Sequence, residues 1–571
     1  MKIAARITLL AAACLTLLLT LFSRQILADA IPVTALSKSE IIRLGELMYR
    51  DGILPSGQVM EGFIRGDVEV DSTAFSCSSC HLRAGLGSVE GGVVTPPTNG
   101  NKLYLPYVRP PSLNDIPDRA GRIIYAKTVQ ERPAYTRETL AIALRFGTDP
   151  AGQVFNDVMP RYPLADRDMA ILIRYLEYLS AEPSPGASST EYRFATIISD
   201  DVSEADRQAL LRPLQSIIAQ KNQQLALYED FIKFGYVPTA DMKYSFRRAT
   251  LDIWELHGPS SSWRSQLSAY YTKNPVFAVL GGISNSDWGP IHAFCEAERL
   301  PCLFPITPFP PLSTPGWYTY YLDKGYAQEG EAVARYLNRQ AEVTIDTPIL
   351  QIVQDSPIGK GLAAGFQRLW SEQDRQAVVT ITLSAGQLKK PGTLAKLIKK
   401  HKPAALMLWT DAVTAQEFPK IVAMPSAPKM VFVSFGYMGK NLLSMPDVVR
   451  DRIFITYPYR LTPYVGPKTG GIDARTPILA SFRDFDDRRI ASRTISALQL
   501  SIFPSLSLLY DNLQRDNLLD IMGMQMDLIV RDYERLSFGP GQRFASKGCY
   551  IIQLGPGAEP ELIPRSEWLE H

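Results

Sequence analysis

The chain has almost no excess of charge of either sign. Its 60 Lys and Arg stand against 58 Asp and Glu, for a net +2 over 571 residues. A nucleic-acid partner, which calls for a strongly basic surface, finds no support in that balance. Cysteine is scarce: six residues are too few for a scaffold held by disulfides. Histidine is scarcer, with five in all, and only His81 lies before residue 250. There is no Gly-x-Ser-x-Gly, no phosphate-binding Gly-x-x-x-x-Gly-Lys and no His-Glu-x-x-His, so hydrolase and NTPase chemistry have no motif to rest on. Beyond the first two dozen residues no apolar run approaches the roughly 20 residues of a membrane span. The remaining composition is that of a folded globular protein, and the length implies two to four domains at about 100–200 residues each.

What is present begins at the N-terminus. Lys2 and Arg6 form a short basic region, Ile7 to Phe22 is apolar without a charge, and Ala28-Asp29-Ala30 has the small-x-small pattern read by a signal peptidase. Residues 1–30 are therefore expected to be an export signal cleaved after Ala30, with an uncleaved anchor as the alternative. Cys14 lies inside the apolar run. Cys77-Ser78-Ser79-Cys80-His81 follows in the exported part. Two thiols three positions apart can each add to a vinyl group of one haem, and the histidine directly after them supplies an axial ligand to its iron. A structural disulfide or half of a zinc site is the plainer alternative.

The flanking pattern is helical. Ile41 to Tyr49 carries apolar residues at helical spacing, Ser37 and Glu40 stand at capping-box spacing, and Gly45 and Tyr49 share one face. Asp166 to Leu179 forms the second amphipathic stretch, with Tyr175 and Leu176 placed to meet the Gly45 face. Between them, Val158-Met159-Pro160-Arg161-Tyr162-Pro163 offers a methionine in a proline-stiffened loop, suited to hold a thioether over iron, whereas Met169 on the helix reads as core. Residues 37 to 180 resemble a class I cytochrome c. That resemblance implies an all-α domain around one covalently attached haem c, with His81 and Met159 as metal ligands and one-electron transfer as the activity. Arg109 and Arg161 are candidate contacts for the haem propionates. The Gly- and Pro-rich insert from Val89 to Tyr135 is expected to cover one haem edge.

Glu182 to Thr190 is a Pro/Ser/Gly stretch with no apolar pattern and reads as a linker. The division expected is 31–180 for the cytochrome-like domain, 181–191 for the linker and 192–571 for the remainder. After the linker, strand and helix patterns alternate. Strands are expected at Tyr192–Ser199, Leu251–Leu256, Val276–Leu280 and Cys302–Pro305, and again at Ile349–Val353, Ala377–Thr382, Ala404–Trp409 and Met430–Ser434. This is the βαβ signature of parallel sheets. Pro275 to Gly282, Leu300 to Thr307 and Asp355-Ser-Pro-Ile-Gly359 resemble the type 1 periplasmic binding proteins, nearest the branched-chain amino-acid receptors of ABC transporters. The resemblance implies two α/β lobes with a solute between them. Ile358 departs from the aromatic that such receptors often place before the glycine, which puts an amino-acid ligand in doubt.

Ligands of such folds bind beyond the carboxyl ends of the strands. His257, Ser284, Asn285, Ser286 and Thr307 of the first lobe, with Asp355 and Ser356 of the second, are the candidate cleft residues; caps and turns without a ligand are the bland alternative. Exposed N–H groups at Ser284 to Ser286 would favour an anion. Cys295 and Cys302 are candidates for a disulfide in an oxidising compartment. The expected partners are a periplasmic dehydrogenase or another cytochrome, together with a small solute. The competing reading is a periplasmic solute receptor in which the haem is a sensor.

Overall fold

The computed structural model describes residues 32–570 except 65, 91–92, 109–130, 236–246, 314–315, 342, 345–346, 372–377, 462–486, 526, 530–532, 540 and 559. The expected export signal (residues 1–30) and Arg109 lie outside the described residues, as does most of the glycine- and proline-rich insert. The chain divides into two compact units. Unit 1 is residues 1–183 joined by Asn512–Asp520, and unit 2 is Ser184–Asp511 with Ile521–His571.

Among the described residues of unit 1, the helices that place the candidate site are α1 (Lys38–Asp51), α2 (Cys77–His81), α3 (Arg137–Phe146) and α4 (Asp166–Tyr178). Ser37 caps α1 in a full capping box with Glu40, satisfying donors that the first turn leaves open. Helices α1 and α4 cross at Gly45, where a Cβ would overlap the Cβ of Tyr175. Only glycine lets the two backbones approach this closely. Leu44, Met48 and Tyr49 of α1 pack there with Leu172, Tyr175 and Leu176 of α4, all buried. Each such side chain contributes about 1.5–3 kcal/mol by leaving water.

The unit is not all-α. Three two-stranded antiparallel ladders accompany the helices: Glu61–Ile64 with Val68–Asp71, Ser88–Glu90 with Val93–Thr95, and Tyr107–Val108 with Glu131–Arg132. The first two pair across short connections, and all three lie outside the two amphipathic helices. Nor is the unit one continuous stretch. Asp516 forms an ion pair with Arg50, the Ala84 N–H donates to Asp520 Oδ2 (3.1 Å), and the Gln514 amide donates to the Ser180 carbonyl (3.2 Å). A segment more than 300 residues downstream is thus fastened to the region behind the CSSCH turn.

Unit 2 contains two α/β lobes. In the first, β1 (Glu191–Ser199), β2 (Arg248–Leu256), β3 (Ala278–Leu280), β4 (Cys302–Leu303) and β5 (Thr319–Tyr320) form a wholly parallel sheet in the order β2-β1-β3-β4-β5. In the second, β6 (Ile349–Gln354), β7 (Val379–Leu383), β8 (Ala405–Trp409), β9 (Met430–Ser434) and β10 (Ile453–Tyr457) repeat the pattern as β7-β6-β8-β9-β10. That sheet is mixed, because β11 (Gly548–Leu554) and β12 (Leu562–Pro564) extend its far edge antiparallel. β6, β8 and β9 are almost completely buried, as expected of central strands covered on both faces.

The helices that matter for the sites of unit 2 are α5 (Glu204–Lys233), α6 (Trp263–Lys273), α7 (Gly289–Ala297), α8 (Tyr326–Asn338) and α9 (Pro357–Ser371). α8 and α9 touch backbone to backbone: a Cβ on Gly365 would overlap the carbonyl of Ala327.

Candidate functional site

The CSSCH turn is a single short helix, α2, with Cys77 half-buried, Cys80 exposed and His81 buried. His81 Nδ1 lies 2.8 Å from the Pro96 carbonyl oxygen. A carbonyl only accepts, so Nδ1 carries the proton and Nε2 keeps its lone pair. Burial pushes the His81 pKa down to about 4, offset in part by the Pro96 carbonyl, so the ring is neutral at neutral pH. A neutral imidazole held at Nδ1 by a carbonyl is the ligand form that metal sites use. Apolar surroundings raise the Cys77 thiol to about 12, even though the Tyr162 hydroxyl bonds to it. These residues fit a covalently attached haem.

Met48, Met60 and Met169 are sunk in the unit 1 core, whereas Met159 is half-buried at its margin. An Asx turn presents it: Asn156 Oδ1 accepts from the Val158 N–H at 3.0 Å, and the Asn156 carbonyl from the Met159 N–H at 3.0 Å. The Arg161 guanidinium donates to the carbonyls of Met159 and Phe155 and stacks over the Phe155 ring. In this structure Arg161 therefore braces the methionine loop.

Both sheets of unit 2 reverse their strand order beside the first strand, and the crevice at such a switch point is where open α/β sheets bind ligands. In the first lobe the switch point lies between β1 and β3, where Ser284, Asn285 and Ser286 meet Asp201. Asp201 Oδ1 accepts from the Asn285 N–H (3.3 Å) and the Ser199 hydroxyl, its Oδ2 from the Ser286 hydroxyl, and its carbonyl from the Asn285 amide (3.0 Å). The anion expected from outside is thus supplied by the chain itself. Asp287 takes the Gly289 N–H at the start of α7 in the same way.

His257 is two-thirds exposed, and its backbone is tied to the Gln266 side chain. Thr307 is buried and caps the following turn by accepting the Phe309 N–H at 3.2 Å. In the second lobe Ser356 caps α9 by accepting the Gly359 N–H (3.1 Å) and is hydrogen-bonded to the Tyr437 hydroxyl at 2.7 Å. Asp355 faces solvent in an ion pair with Lys360 at 2.6 Å.

An aromatic run links the two lobes' candidates. The Phe309 ring lies 6.2 Å from Tyr326 and Tyr326 lies 6.4 Å from Tyr437, so Thr307 and Ser356 stand at opposite ends of one short chain of contacts. Behind it Glu329 of α8 is fully enclosed. Its Oε2 accepts from the hydroxyls of Ser434 (2.7 Å) and Thr456, at the carboxyl ends of β9 and β10. Burial raises its pKa to about 7. Asp201, Tyr326, Glu329 and Tyr437 escaped the reading of the sequence, since none belongs to a motif. Cys295 and Cys302 are both buried and free, so of the two alternatives their spacing leaves open, a disulfide or two packed thiols, the structure holds the second.

No protein-family profile and no curated protein sequence matches the chain. Solved structures with weak likeness include a fatty acid ABC transporter substrate-binding protein from Thermomonospora curvata, 14% identical, covering 68% of this chain and 95% of its own, at a TM-score of 0.41. Others are a putative branched-chain amino acid ABC transporter from Rhodospirillum rubrum (14%, 66% and 99%, 0.43) and one from Thermus thermophilus with bound valine (11%, 67% and 97%, 0.43). At these scores the likeness carries no argument about ligand or activity. The two-lobed α/β architecture rests on the strand order and pairing of the sheets themselves.

Proposed function

We propose that the chain is an exported solute-binding protein carrying one covalently attached haem. The binding half is supported by the paired switch points of unit 2 and by the aromatic run between Thr307 and Ser356. The haem half is carried by one observation: His81 is buried, neutral and oriented by Pro96, directly after two cysteines on the same helix. Cys77 and Cys80 would anchor the group, and His81 and Met159 would hold its iron. Haem so held supplies one-electron transfer, to a periplasmic partner such as a dehydrogenase or another cytochrome. The chain's own residues orient the histidine, exclude water around it and brace the methionine loop through Arg161.

The second reading places electron transfer first and makes unit 2 a docking module. It is favoured by Asp201, which occupies the first lobe's switch point with a protein carboxylate.

Two measurements decide. The chain, produced in a host that attaches haem, is run on a denaturing gel and stained for haem peroxidase activity. Wild type should stain, and the Cys77→Ser, Cys80→Ser double variant should not; an unstained wild type overturns the haem half. Thermal-shift screening of the whole chain against small solutes should yield a ligand that raises the melting temperature by mass action. Loss of that shift in Tyr437→Phe or Thr307→Val would place it in the cleft, and an empty screen favours docking.

A further inference from the structure

Apart from the switch points, unit 2 has a pocket of about 190 Å³, walled by Phe309 and Leu312 on one side and by Ala327, Gly361 and Ala364 of α8 and α9 on the other. Almost all of this lining is apolar. The exceptions are Lys324 and Arg368, and both pair with one carboxylate, Glu331, which is itself buried: Lys324 Nζ lies 3.2 Å from Glu331 Oε2, and Arg368 donates to Oε1. Two cations share one carboxylate and Arg335 also acts on Lys324, so positive charge is in excess here. The Arg368 side chain is 48% exposed, so its guanidinium has donors to spare. The volume is below the roughly 300–1,000 Å³ that holds drug-sized ligands. Growth into it from α9 is open at Gly361, where the nearest atoms to an added Cβ are carbons of Phe309 and Tyr326 at 3.8 Å.

We propose that this pocket binds a small aliphatic monocarboxylate, its chain against the apolar walls and its carboxylate on Arg368 and Lys324. The excess of positive charge favours a carboxylate head over a neutral or cationic one. A bidentate guanidinium–carboxylate contact gives the head its orientation. The site uses none of the switch-point residues, but it shares Phe309 with the aromatic run of the solute reading, so the test must separate the two.

The test is isothermal titration of the whole chain with hexanoate, hexan-1-ol and hexylamine as probes. Saturable one-to-one binding of hexanoate is expected, with hexan-1-ol at least tenfold weaker and no heat from hexylamine. Arg368→Gln should weaken hexanoate about tenfold, and Gly361→Leu, which fills the pocket, should abolish binding while far-ultraviolet circular dichroism stays as in wild type. Tyr437→Phe, in the cleft, should leave hexanoate binding unchanged. The proposal is overturned if hexanoate gives no saturable heat, if hexan-1-ol binds equally well, or if binding survives Gly361→Leu. Loss in Tyr437→Phe with retention in Gly361→Leu would move the ligand to the cleft and likewise overturn it.

Discussion

Replacing Glu329 by Gln should make unit 2 more stable at pH 8 and leave it nearly unchanged at pH 4.5. The carboxyl is enclosed behind the carboxyl ends of β9 and β10, and desolvation raises its pKa from 4.5 to about 7 against the pull of the Ser434 and Thr456 hydroxyls and the Gly436 N–H. Below the unfolded value both states hold the proton, and the contribution to stability is fully present. As pH climbs, the unfolded chain releases its proton first, so folding loses free energy until the native carboxyl also ionises near 7. The rise corresponds to ~3 kcal/mol across that window. Gln keeps the size and an acceptor oxygen for the two hydroxyls but never ionises. Glu329→Gln should therefore gain ~2–3 kcal/mol over wild type at pH 8. Urea unfolding followed by tryptophan fluorescence reads this directly, because all seven tryptophans lie in unit 2. Other groups titrate in both proteins, so the difference between them is the decisive quantity. A difference that stays constant from pH 4.5 to 8 would refute the reasoning.

Three further outcomes are expected. Gly45→Val drives a branched side chain into Tyr175 at the α1–α4 crossing and should destabilise unit 1 by about 3 kcal/mol, read as earlier thermal loss of helical circular dichroism. Met159→Ala should remove the methionine–iron charge-transfer band of the oxidised form, and an unchanged spectrum would exclude Met159 as ligand. Asp201→Ala strips the acceptor from Ser199, Asn285 and Ser286 at an exposed site and should cost about 1 kcal/mol. It should also let sulfate raise the melting temperature, which it should not do in wild type.

Legibility in the sequence follows the locality of the physics. The Cys77–His81 turn is five adjacent residues, and the haem attachment proposed for it depends on their spacing alone. The capping box of α1 and the Gly45–Tyr175 crossing announce themselves through helical periodicity and a residue without a Cβ. Strands such as Ile349–Gln354 and Met430–Ser434 stand out because central strands are continuous apolar runs. The same reading left Asp201 unremarked: an exposed acidic residue after a strand looks solvated until Ser199, Asn285 and Ser286 are brought onto it from both sides of the switch point. It also placed an anion where the chain supplies its own, and left a disulfide and two packed thiols equally open where two free thiols are buried in one core cluster.

The order of residues by itself determined the two amphipathic helices, the cysteines and histidine of α2, and the alternation that makes unit 2 an α/β fold, because each follows from interactions within a turn or a strand. Tertiary structure alone decided that Asn512–Asp520 belongs with unit 1, that His81 turns Nδ1 to Pro96, and that Glu329 is shut away from water. It also decided that Lys324 and Arg368 share Glu331 at the mouth of an apolar pocket. Each of these depends on desolvation or on partners tens to hundreds of residues distant, and neither quantity exists until the chain has folded.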